Sequence, residues 1–222
     1  MFRIKICGVT NVDDALAAAA AGADAIGLNF YANSPRCVSH EAAAQIVSAL
    51  PSGIKKVGVF VNANADEIRG LSADLPLDLI QLHGDEEPAF LAGLIGTPAM
   101  RAFRPVGSLE GIQAYLDKCD RLNCRPEMVL IDAFRKTAYG GTGETADWDA
   151  IRTSRSLLRG LPIVLAGGLT AENVAKAIAA VEPDGVDSAS GVELSPGRKS
   201  PDLIRAFVAQ AKRAFDLLDQ SR

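Results

Sequence analysis

Met128-Val129-Leu130-Ile131-Asp132 is four apolar residues in a row, closed by a carboxylate. A strand with one wet face alternates apolar and polar side chains. A near-continuous apolar run instead marks a strand covered on both faces, as in a parallel sheet flanked by helices. Similar short runs recur along the chain at residues 3–8, 25–30, 56–61, 77–82, 100–103, 162–166 and 185–187. Longer segments with helical character lie between them. The first begins after Thr10 or Asn11, either of which can cap it. It carries Asp13 and Asp14 in its first turn, where they favour the helix dipole, and ends at Gly22. Ser39 caps a second over 40–50, and further helices are expected over 66–75, 86–94, 108–118 and 148–158. Thr170 caps one running to residue 180. The last covers 201–218, where Leu203, Phe207 and Phe215 can share a face. Residues 119–126 are polar and irregular and read as a surface loop.

Eight strand-then-helix units predict an α/β fold, a single-domain (β/α)8 TIM barrel over residues 1–222. The competing architecture is an open doubly wound sheet. Against it, no G-x-G-x-x-G turn follows the first strand, and no shift in composition marks a domain boundary.

With 48% hydrophobic and 23% charged residues among 222, the chain can bury a sizeable core. A net charge of −4 gives no reason to expect nucleic acid or an anionic membrane as a partner. Cys7, Cys37, Cys119 and Cys124 form no C-x-x-C pair and no metal-finger spacing, so no metal and no disulfide framework is expected. No apolar run reaches the ~18 residues of a membrane span, and no signal-like segment opens the chain. A cytoplasmic protein is the expectation. Monomer and homodimer are left open.

Barrels of this kind build their sites at the carboxyl ends of the strands. The residues expected there are Cys7, His83, Asp132, Gly167, Gly168 and Asp187, with Arg36 and the 140–143 glycine segment in loops beyond. Taken alone, each has an ordinary reading. A free cysteine is usually a small buried hydrophobe, a histidine can be a satisfied structural residue, and Arg36 can be a solvated surface charge. Asp132 ends an apolar strand, where a carboxylate is costly unless solvated or paired, and the residues after it open no helix that it could cap. Gly167-Gly168 after the seventh strand and Ser190-Gly191 after the eighth could simply turn corners. As a pair they form the usual phosphate cradle of this fold, with backbone N–H groups and a helix N-terminus aimed at the anion. The loop position of Arg36 suits bidentate recognition of a carboxylate.

The motifs Lys5-Ile6-Cys7-Gly8-Val9-Thr10, Ser34-Pro35-Arg36-Cys37-Val38 and Gln81-Leu82-His83-Gly84-Asp85 resemble those of the phosphoribosylanthranilate isomerases of tryptophan biosynthesis. So do Gly140-Gly141-Thr142-Gly143, Leu165-Ala166-Gly167-Gly168-Leu169, and Asp187 with Ser190-Gly191-Val192-Glu193. The resemblance implies an Amadori rearrangement of N-(5-phosphoribosyl)anthranilate to 1-(2-carboxyphenylamino)-1-deoxyribulose 5-phosphate, with no cofactor. It further implies Cys7 as general base, Asp132 as general acid, and Arg36 at the anthranilate carboxylate. His83 and Asp187 are expected to bind substrate, and Gly141, Gly143, Gly167, Gly168, Ser190 and Gly191 its phosphate. Three positions depart from the family pattern: Cys37, Ser200, and the polar 119–126 segment. The related sugar isomerase of histidine biosynthesis resembles this chemistry but uses aspartates at both positions, so Cys7 argues against it. A Schiff-base enzyme would need a lysine over the mouth, for which neither Lys5, two residues below the rim, nor Lys136 in a loop is well placed. A non-catalytic phosphate-binding barrel would need no acid and thiol facing each other.

Overall fold

The computed structural model describes residues 1–94, 96–105, 109–132 and 148–221. Eight parallel strands close into a barrel in chain order: β1 (Ile4–Cys7), β2 (Ala25–Asn29), β3 (Lys55–Phe60), β4 (Leu79–Leu82), β5 (Ala99–Phe103), β6 (Met128–Asp132), β7 (Ile163–Ala166) and β8 (Gly185–Ser188). The closure is direct: β8 lies beside β1, with Val186 opposite Ile4 and Asp187 opposite Lys5. The barrel therefore has no open edge, and the doubly wound alternative is excluded.

The helices α1 (Val12–Ala21), α2 (His40–Ala49), α3 (Ala65–Asp74), α4 (Pro88–Ala92), α5 (Glu110–Leu122), α6 (Trp148–Thr153), α7 (Val174–Val181) and α8 (Pro201–Gln220) fall between and after the strands. Local chemistry sets their ends. Asn11, not Thr10, caps α1 by accepting from the Asp14 N–H, and Gly22 ends it at φ 87°, a left-handed conformation that suits glycine. Ser39 and Ser200 cap α2 and α8 in the same way. The family departure at Ser200 is thus filled by a good capping residue.

Two expectations need correction, and a third element is one that no expectation covered. The 119–126 segment is not a surface loop throughout, because α5 continues to Leu122. Asn123 then turns left-handed, and the Cys124 N–H reaches back to the Cys119 carbonyl at 3.0 Å. Cys119 and Cys124 are both buried beneath this cap; the polar residues around them disguised the inward face. Second, α7 starts at Val174, after a turn in which the Asn173 side chain accepts from the Thr170 N–H. Third, an antiparallel hairpin follows β8, formed by β9 (Glu193–Ser195) and β10 (Arg198–Lys199). It is too short to leave a periodic signal.

The alternation of strand side chains separates two cores. On the outer face, Ile4, Ile6, Val129, Ile131 and Val186 pack against helix residues such as Ile178 and Phe207. Inside the barrel, Phe2, Val57, Leu79, Met100, Met128, Leu130 and Val164 form a separate cluster. This two-residue period also positions the site. Met128 and Leu130 point inward, so Asp132 is the next inward residue on β6. Ile4 and Ile6 point outward, so Lys5 and Cys7 face the interior. No helix among the described residues is long and apolar enough to cross a membrane.

Candidate active site

At the carboxyl ends of the strands lies a cavity of about 330 Å³, within the usual range for a small-molecule site. Cys7, Asn29, Arg36, Gln81, His83, Asp132, Gly167, Gly168, Asp187, Ser190 and Gly191 all line it. Every predicted site residue within the described parts of the chain therefore faces one cavity. Gly141 and Gly143 lie outside the described residues. β1 and β6 are separated by two strands on one side and four on the other, so Cys7 and Asp132 approach the cavity from different parts of the wall.

The Cys7 sulfur is held closely. A β-carbon on Gly27, its neighbour on β2, would stand 2.7 Å from Sγ and 3.2 Å from Cε of Lys5. A glycine is required there because both side chains occupy the space. Burial pushes the Cys7 thiol above its ordinary value. Lys5 and Lys199 oppose that shift, and Asp187 adds to it. Lys5 is fully buried and donates to Asp187 Oδ2 at 2.8 Å. Burial disfavours its charge, yet Asp187 and Cys7 more than compensate and hold the ammonium above its ordinary value. The other Asp187 oxygen, Oδ1, is buried without a hydrogen-bond partner among the described residues.

On the opposite wall, Nε2 of His83 lies 3.6 Å from Asp132 Oδ2. Its Nδ1 is 2.8 Å from the Gln81 amide nitrogen. With that amide donating, the neutral imidazole carries its proton on Nε2, toward the carboxylate. Arg104 fixes the backbone here by donating to the His83 carbonyl.

Arg36 does not hang free over the mouth. Its Nε and Nη2 grip Glu193 at 2.8 and 2.7 Å, leaving Nη1 as the end of the fork not engaged by Glu193. Glu193 also accepts from Lys199 Nζ at 2.8 Å. Lys199 donates in addition to the carbonyls of Cys7, at 2.6 Å, and Ala189, at 3.0 Å. The short β9–β10 hairpin thus joins the β1 end, the loop after β2 and the loop after β8. Burial lowers the Lys199 ammonium below its ordinary value despite Glu193. Glu193 is held below the usual carboxylate range: burial works the other way, but Arg36 and Lys199 outweigh it.

The two glycine loops meet beside this hub. Gly167 and Gly168 both take positive φ, 97° and 66°. A β-carbon on Gly191 would stand 1.9 Å from the Leu169 carbonyl oxygen, so only glycine lets the loops after β7 and β8 approach this closely. Ser188 Oγ bridges them by donating to the same carbonyl at 2.7 Å.

Residues 4–210 match the family model described as N-(5'-phosphoribosyl)anthranilate (PRA) isomerase. The chain belongs to this family. It is 46% identical over 213 residues to the N-(5'-phosphoribosyl)anthranilate isomerase of Citrifermentans bemidjiense, covering 96% of this chain and 98% of that protein. The enzyme of the same name from Azotobacter vinelandii is 46% identical over 214 residues, covering 96% and 98%. The crystal structure of the Thermotoga maritima phosphoribosyl anthranilate isomerase superposes with a TM-score of 0.83 at 37% identity, covering 96% of this chain and all of that one. A phosphoribosyl anthranilate isomerase in complex with reduced 1-(o-carboxyphenylamino)-1-deoxyribulose 5-phosphate superposes at 0.81, with 36% identity and coverage of 96% and 100%.

Sequence reasoning assigned no role to Gln81, Lys199 or Glu193, and it set Lys5 aside. Gln81 had a usable signal, since it lies two residues before His83 on one strand and so shares its face. Lys199 had none, because its approach to Cys7 depends on a hairpin that the residue pattern does not announce.

Proposed function

We propose that this chain catalyses the isomerisation for which its family is named, the Amadori rearrangement of N-(5-phosphoribosyl)anthranilate, with Asp132 as general acid and Cys7 as general base. The observation that carries this reading is that a carboxyl on β6 and a thiol on β1 face one cavity beside paired glycine loops. Asp132 delivers a proton to the furanose oxygen as the C1′–O bond breaks, and the anilino nitrogen lone pair forms the Schiff base. The cationic imine acidifies the C2′ proton. Cys7, as thiolate, removes that proton, and the C–H electron pair flows toward nitrogen to give an enolamine. Tautomerisation then yields the ketone. The steps conserve atoms and electrons, so no cofactor enters the balance.

The remaining residues have matching work. The Nη1 end of Arg36 suits the anthranilate carboxylate, with Glu193 fixing the plane of the fork. Asp187 lines the cavity, where its carboxylate suits contact with the sugar. His83 stands 3.6 Å from Asp132 on the same cavity, a position that suits contact with the sugar. The phosphate takes the backbone of Gly167, Gly168, Ser190 and Gly191, and by family resemblance Gly141 and Gly143 as well.

The test is the decay of anthranilate fluorescence with freshly generated phosphoribosylanthranilate. Cys7→Ala and Asp132→Asn should each lower kcat by ~10²–10⁴-fold while binding of a phosphorylated product analogue largely persists. Wild-type-like turnover in either variant overturns that residue's role. A wild-type rate no faster than the uncatalysed one overturns the activity.

A further inference from the structure

Among the inward residues of the barrel, Lys5 and Asp187 face each other as a buried ion pair across the β1–β8 seam. Lys5 is 0% exposed. Burying such a pair is weak evidence of a stabilising purpose, since apolar residues of similar volume commonly serve as well or better. The pair needs another reason to exist, and its position supplies one. Lys5 and Cys7 are two residues apart on one strand and point the same way, and both crowd the space above Gly27. The lysine side chain and the sulfur therefore occupy one small space inside the barrel.

We propose that Lys5 is a positioning residue for the isomerisation, holding the Cys7 sulfur in its proton-accepting form, with Asp187 and the thiolate sharing the charge of the lysine. The proposal rests on the reading of Cys7 as the base. A thiol in this enclosed place is disfavoured as thiolate by burial, and a base that stays protonated removes no proton. Among the described residues, the charged and titratable groups around the sulfur are Lys5 on β1, Asp187 on β8, Lys199 on β10 and Arg36 in the loop after β2, with Asp132 and His83 across the cavity. Arg36 and Lys199 are both engaged by Glu193, which draws their charge away from Cys7. Among the described residues, Lys5 has Asp187 alone as an ion-pair partner.

A purely structural ion pair and a positioning pair make different predictions for the thiol itself. The experiment follows Cys7 alkylation by iodoacetamide against pH in the full-length protein. Peptide mass spectrometry separates Cys7 from the exposed Cys37. In Lys5→Met the midpoint should rise by about one pH unit or more, because a cation is lost. In Asp187→Asn it should fall, because an anion is lost beside the thiolate. Opposite shifts from two partners of one ion pair are not what a loss of packing produces. At pH 7 Lys5→Met should lower kcat by about tenfold or more, with KM within about threefold, and the loss should shrink as pH rises. An unmoved midpoint in folded Lys5→Met overturns the proposal. If that variant does not fold, Lys5→Met/Asp187→Asn is compared with Asp187→Asn alone: a higher midpoint in the double variant supports the role, and coincident midpoints overturn it. Alkylation needs no substrate, so failure here is distinct from failure of the base assignment, which Cys7→Ala turnover decides.

Discussion

Glu193 engages Arg36 through both carboxylate oxygens and Lys199 through one of them, while its Oε1 also accepts from the Gly197 N–H at 3.3 Å. Removing its charge leaves two cations without their counter-ion, one of them almost fully buried. Glu193→Gln should therefore cost about 3 kcal/mol or more of stability and raise KM, because the Arg36 fork loses its second anchor. Urea unfolding and steady-state kinetics check both. The stability difference has a definite pH sign. The folded carboxyl titrates below its ordinary value, so its contribution is complete above the ordinary carboxylate pKa and disappears as pH falls through the depressed one. Wild type and variant should converge in stability in acid. At this scale the sequence was most informative where a polar residue ended an apolar strand, as Cys7 and Asp132 do. It was least informative for Glu193 and Lys199, whose partners are up to 192 residues away and are set by loop paths.

Strands were legible because a strand covered on both faces leaves a run of apolar residues that little else produces. Helix ends were less so: α5 outran its expected end because two inward thiols read as part of a polar stretch, and the β9–β10 hairpin offered too few residues to show a period. A further device at the element scale repeats along the chain. Asp24, Asp78 and Asp184 precede β2, β4 and β8, and each accepts a backbone N–H near the start of the preceding strand in space. Asp24 takes that of Ile4 at 2.8 Å, Asp78 that of Lys56 at 2.8 Å, and Asp184 that of Ile163 at 2.9 Å. Each satisfies a donor that the ladder leaves unpaired where a strand begins. Burial alone would raise the Asp78 carboxyl, but the Lys56 N–H and the Lys56 and Lys55 ammonium groups carry it below its usual range. Asp78→Ala should cost ~1–3 kcal/mol at neutral pH with turnover unchanged, because the change lies at the end of the barrel away from the cavity. That contribution is complete above about pH 4 and is lost as pH falls through the depressed value, so urea midpoints of variant and wild type should approach each other in strong acid.

The whole molecule depends on bringing its two ends together, and α8 does this. It packs on α1 and α7, which flank the β1–β8 seam where the barrel closes. At its far end Asp219 pairs with Arg3 at 2.7 Å, and the Arg3 guanidinium lies 5.1 Å from the centre of the Phe215 ring. Ile204, Phe207, Val208 and Ala211 are at most 1% exposed, so the middle of α8 is core in its own right. The expected sharing of a face by Phe207 and Phe215 holds, with Leu203 packed against the edge of the same cluster. Phe207 is not among the residues lining the cavity, and its loss should act on closure rather than on chemistry. Phe207→Ala should therefore lower unfolding free energy by ~3–5 kcal/mol, read as a drop in urea midpoint, while kcat measured well below the melting temperature stays within about twofold of wild type. A large fall in kcat in a sample shown to be folded would mean that the seam transmits strain to Cys7, one strand end away. An unchanged kcat with the full stability loss would show that closure of the barrel and the chemistry at its mouth are separable, the first resting on the outer core and the second on the inward residues of β1, β6 and β8.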